Sequence, residues 1–173
     1  HARPGYLANV SEVPMSTRVT VAGHPIHPML VTLPIGLWVF SLVCDFGYLF
    51  TGDERWATTA YFTLGGGIVG ALLAALPGLF DLLGIHEPRA QRVGRYHLVL
   101  NLAIVVAQAL SFWLRAEDGL ENAVARGISI VAVVALIISG WLGGHLVHVL
   151  GVTQPGHEDQ AHVAGHDRLH PRT

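Results

Sequence analysis

Four long apolar runs, at residues 30–50, 60–83, 96–114 and 128–150, are separated by short polar segments. As helix at about 1.5 Å per residue, each would measure roughly 28–36 Å. A bilayer core of about 30 Å needs about 20 such residues. Backbone amides in lipid must be bonded within their own segment, so the runs predict helices rather than open strands. The linkers are short: Thr51 to Arg55, Gly84 to Arg95 and Arg115 to Gly127. Short connections favour antiparallel neighbours. The predicted fold class is therefore all-α, an integral membrane up-down-up-down four-helix bundle.

Polar and small residues recur along each run at helical spacing. In the first, His27, Val31, Pro34, Trp38, Ser41 and Asp45 advance by alternating fours and threes, which is one helical face. The second offers Gly67, Gly70, Ala74, Pro77 and Asp81, whose small residues permit close helix approach. The third offers His97, Asn101, Ile104, Gln108, Ser111 and Arg115. The fourth offers Val134, Ile138, Trp141, His145 and His148. Polar groups facing lipid are costly, so all four stripes are expected to point into the bundle. Pro34 and Pro77 predict kinks.

Composition narrows the class. The chain of 173 residues is 51% hydrophobic and only 13% charged, with mean hydropathy +0.49. Soluble domains carry about 25% charged residues. Disorder needs low hydrophobicity and is excluded. A net charge of -2 speaks against nucleic acid as a partner. One cysteine, Cys44, cannot make an internal disulfide. Residues 1–19 read as an N-terminal extension, with Met15 resembling a start; 20–152 form the transmembrane domain; 153–173 form a hydrophilic tail carrying His157, His162, His166 and His170. That tail is compatible with metal collection or with a solvated linker. Arg18, Arg89, Arg92 and Arg95 on one side against Arg55, Arg115 and Arg126 on the other predict both termini in the cytoplasm of a multi-pass protein.

The same topology gathers histidines. His24 and His27 begin the first helix, Asp81 ends the second, His97 begins the third, and His145 and His148 close the fourth. His86 follows the second helix in its linker. Imidazoles and a carboxylate are the usual ligands of borderline transition metals. Asp45, Gln108 and Ser111 form a second polar site near the opposite end. Two readings lead. In one, a b-type haem takes His97 and His145 as axial ligands, with His27 and Asp81 next to it, Asn101 orienting a ring, and Arg92 and Arg95 meeting the propionates. In the other, one or two zinc, iron or copper ions sit among His24, His27, Asp81, His97, His145 and His148. A proton or ion path joining the two polar ends, and an assembly subunit within an oligomer, are further readings. Nucleophilic catalysis lacks a base near Ser41, Ser111 or Cys44.

Gly23-His24-Pro25-Ile26-His27-Pro28, Leu33-Pro34-Ile35-Gly36 and Asp45 resemble a bacterial membrane family, domain of unknown function 2231. Gly78-Leu79-Phe80-Asp81, His97 with Asn101, and Gly140-Trp141-Leu142-Gly143-Gly144-His145 fit the same pattern. The resemblance covers about residues 20–152 and implies a four-helix domain in the bacterial inner membrane. Some relatives in that family resemble fusions to a Rieske iron–sulfur domain, which implies electron transfer. With one cysteine this chain cannot ligate such a cluster, so a redox partner, an iron–sulfur protein or a quinone, would be a separate molecule.

Overall fold

The computed structural model describes residues 19–22 and 24–150. A two-residue hairpin, β1 (Thr20–Val21) against β2 (His24–Pro25), leads into α1 (Ile26–Leu30) and α2 (Thr32–Thr51). Three long helices follow: α3 (Glu54–Gly84), α4 (Pro88–Asp118) and α5 (Ala123–His148). With α1 and α2 taken as one span, Ile26–Thr51, all four are long and apolar enough to cross a membrane.

Local chemistry sets the boundaries. Gly52 ends α2 in the left-handed region at φ 68°, where a side chain would be strained. Asp53 then caps α3 by accepting the Arg55 amide. Glu87 caps α4 by accepting the amides of Arg89 and Ala90, and Pro88 supplies a preset φ in the first turn. Asn122 caps α5 through the Ala125 amide. These caps carry α3 and α4 beyond their apolar runs, to 31 residues each, or about 46 Å at 1.5 Å per residue. Pro34 falls in the first turn of α2, where its missing N–H has no helical acceptor to lose. Pro77 lies inside α3, which continues as one helix through it.

Packing is the reverse of a soluble protein. Phe62, Leu76, Val106, Val131, Ile137 and Trp141 stand exposed around the bundle. The interior holds Ala57, Ala60, Ala74, Ser41, Ser111, Ser129 and Ser139 around an apolar centre of Trp38, Leu64, Ile104, Ala132 and Val133. In lipid there is no hydrophobic drive between helices, so small and hydrogen-bonding residues make the contacts. Gly67 is needed where it stands, because a Cβ there would collide with the Trp38 ring. Helices α2 and α3 pack along their length as one hairpin, α4 and α5 as a second, and α3–α4 and α2–α5 contacts close the ring.

Three of the four sequence stripes face inward as expected: Pro34, Trp38, Ser41 and Asp45; Gly67, Gly70, Ala74 and Pro77; Ile104, Gln108, Ser111 and Arg115 are all buried. The fourth does not. Val134, Ile138, Trp141 and His148 are exposed, and α5 instead buries Ala125, Ser129, Ala132, Val133 and Ser139. Apolar residues cover every side of α5, so periodicity could not choose a face; the buried serines mark it.

Candidate functional site

At one end of the bundle the structure brings two histidines together. His27 lies in α1, and its Nδ1 donates to the Ala74 carbonyl of α3 at 2.8 Å. The ring lies over Gly78, where a Cβ would stand 2.6 Å from it. His97 lies in α4, and its Nδ1 donates to the Ser139 carbonyl of α5 at 3.0 Å. That ring lies beside Gly143, where a Cβ would stand 3.2 Å away. Asn101 donates to the Ser139 hydroxyl at 2.6 Å and to the His97 carbonyl at 2.7 Å, fixing the second support. The two rings are 6.5 Å apart between centroids and perpendicular. A carbonyl only accepts, so each Nδ1 carries a proton, and the lone pair that a ring can offer a ligand is the one on Nε2.

The other predicted ligands go elsewhere. His24 is exposed and turned to the Ala22 carbonyl of its own hairpin at 3.0 Å. Asp81 accepts the Val19 amide at 3.2 Å, fastening the β-hairpin to the end of α3. His145 stacks on Trp141 of its own helix, centroids 5.6 Å apart. The exposed His148 ends α5, and His86 is an exposed loop residue. Arg92 and Arg95 are exposed on the first turns of α4. The six-residue metal set is thus not assembled: among the described residues, no three of His, Cys, Asp and Glu come together as a metal site. Nor is His145 placed to share an axis with His97. Topology fixes the height of each residue along the bundle and leaves its direction open. The inner face of α5 passes through Ser139 and Gly143, so His145 points roughly half a turn away. The four tail histidines lie outside the described residues.

The opposite end is closed. Arg115 donates Nη1 and Nη2 to the two oxygens of Asp45, each at 2.7 Å, and both side chains are almost wholly buried. The Ser111 hydroxyl lies 3.4 Å from Arg115 Nε, 2.8 Å from the Ala125 carbonyl and 2.8 Å from the Ser129 hydroxyl. Ser129 donates to Gln108 Oε1 at 3.0 Å. Gln108 Nε2 is buried without a hydrogen-bond partner among the described residues. Arg115 therefore belongs to the interior, and its place in a loop-side arginine count is withdrawn. The residues that sequence reasoning missed are Ser129 and Ser139, whose signal lay only in being hydroxylic on the buried face of α5; Gly78 and Gly143 stood in the family motifs without an assigned role.

No curated protein and no solved structure matches the chain. A family model described as a predicted membrane protein matches residues 23–155, which include both polar ends and all four spans. With that match over most of its length, the chain belongs to the family of domain of unknown function 2231.

Proposed function

We propose that this membrane protein carries electrons on a b-type haem held between His27 and His97. The observation that carries the reading is the ring pair itself: 6.5 Å apart, perpendicular, each tethered at Nδ1. His27 and His97 would hold the iron through Nε2, the nitrogen that neither carbonyl uses. The donor set fits haem for a second reason. A porphyrin would supply most of the iron's nitrogen donors itself, leaving two for the protein. A bare zinc, iron or copper ion would need further donors, and among the described residues no third His, Cys, Asp or Glu joins the pair.

Haem, when bound, supplies a one-electron iron couple. The chain's own residues do the positioning. The Ala74 and Ser139 carbonyls accept the Nδ1 protons, which fixes the tautomer and makes each Nε2 a better donor. Asn101 holds Ser139 in place, and Gly78 and Gly143 leave room for the rings. Arg92 and Arg95 stand exposed on the same end of α4, where propionates would meet guanidinium groups. The redox partner in this reading is a quinone or a separate iron–sulfur protein.

The test is an absorption spectrum of detergent-purified protein after haem reconstitution. A Soret band is expected for the wild type and for His145→Ala, and its loss for His27→Ala and His97→Ala. A wild type that takes up no haem, or a band that survives both substitutions, overturns the proposal.

A further inference from the structure

The Asp45–Arg115 bond joins residues 70 positions apart. The same step carries Ser41 to Ser111, Trp38 to Gln108, Pro34 to Ile104, Val31 to Asn101 and His27 to His97. Apart from Val31 and its counterpart and the two histidines, which are half-buried, every one of these is buried. A second constant step carries α3 onto α5: Ala60 to Ala125, Leu64 to Ser129, Gly67 to Ala132, Ala74 to Ser139 and Gly78 to Gly143. The bonds between helices obey both steps at once. Ser41 Oγ donates to the Ala60 carbonyl at 2.8 Å, and Ser111 Oγ to the Ala125 carbonyl at 2.8 Å. His27 donates to Ala74, and His97 to Ser139. Trp38 bonds to Leu64, and Gln108 to Ser129. Gly78 underlies one imidazole and Gly143 adjoins the other.

From this we infer that the bundle is two equivalent hairpins in tandem, α1–α3 and α4–α5, docked face to face about a two-fold axis along the bundle. The packing has the required form: two long intra-hairpin contacts and two lesser contacts between hairpins. Because α2 and α4 run the same way, the repeat is parallel and its axis lies along the membrane normal. The inner face of each hairpin is thus an interaction surface, and its partner is a hairpin of the same pattern.

On a two-fold axis a residue meets its own equivalent. Imidazole meets imidazole at one end. At the other, a strict repeat would set carboxylate against carboxylate or guanidinium against guanidinium. Here one copy carries Asp45 and the other Arg115, so unlike hairpins attract and like hairpins repel. The ion pair is therefore a pairing code: it directs each hairpin to its sister in the same chain and away from the identical hairpin of a second molecule. This inference stands apart from the haem reading and needs no cofactor.

The full-length chain tests it. D45R and R115D each place like charges on the axis and are expected to lower the melting temperature and the monodisperse yield in detergent. Because the positions are equivalent, the exchanged pair D45R/R115D is expected to recover more than half of either loss. A double variant no better than the worse single variant overturns the inference. Spin-label distances supply a second measurement on a C44A background. The pair at Val39 and Ile137 is equivalent to the pair at Ala109 and Leu72, all on exposed positions. Coinciding mean distances are expected, and clearly separate ones overturn the two-fold relation.

Discussion

The two ends of the bundle place facing residues of the same two helical spans on one axis, with opposite outcomes. At the Asp45 end each nitrogen of the guanidinium has an acceptor, and the pair is buried. At the His27 end the hydrogen bonds of each ring run through Nδ1, to a backbone carbonyl, and Nε2 is the nitrogen that the proposed haem would use. A closed ion pair supports the fold, and a half-satisfied imidazole pair is where the proposed ligand would sit. The difference explains why the Asp45 end fits a docking role better than a station on an ion path. Its carboxylate is committed to both arms of Arg115.

The comparison breaks most sharply at the ion pair. Asp45→Ala or Arg115→Ala leaves a buried, uncompensated charge, which costs about 3–5 kcal/mol. Unfolding in mixed micelles is expected to show that loss for each. Replacing both partners with apolar residues of similar volume is expected to cost much less. At the other end His97→Ala removes one hydrogen bond and a ring, about 1–2 kcal/mol, while abolishing haem uptake. Equal stability losses at both ends would erase the distinction between support and ligand site.

The glycines sharpen the same contrast on a smaller scale. Gly78→Ala would set a methyl 2.6 Å from the His27 ring, forcing the ring or the helix to shift. Overpacking of that kind costs about 1–3 kcal/mol, and haem affinity is expected to fall with it. Gly140→Ala meets no atom within 4 Å, so both readouts are expected to stay near wild type.

Much of this architecture stands in the sequence. Run length gives the four spans, and the alternating fours and threes give the inner faces of α2 and α4. The remainder is hidden for physical reasons. In α5 nearly every residue is apolar, so hydrophobic periodicity carries no direction and His145 looks like an inward ligand. Arg115 lies close enough to the end of α4 to pass for a loop cation; its bidentate grip on Asp45 depends on how α2 and α4 face each other across the bundle. The repeat is veiled by chemistry. Trp38 answers to Gln108, Leu64 to Ser129 and Asp45 to Arg115, so residue-by-residue likeness is low while spacing is preserved. His27 and His97 are among the equivalents that kept their identity, as two ligands of one group would require.

The smallest expected effect concerns the helix caps, one at each end. The amides of Ala90 and Arg89 hold the Glu87 carboxyl below the usual glutamate range, and the Arg55 side chain does the same for Asp53. A carboxyl lowered in the folded state adds stability that is complete above its unfolded pKa, about 4.3 for glutamate, and drains as pH falls through the folded value. Melting temperature is therefore expected to decline on acidification below that range. Glu87→Gln keeps the cap's shape and removes its charge, so it is expected to shrink the acid decline by the Glu87 share. Glu87 is exposed and Asp53 partly so, so the change is expected to be a small shift in the acid limb, visible only against the wild type. An unchanged acid limb in Glu87→Gln would show that the Glu87 cap contributes nothing to the decline.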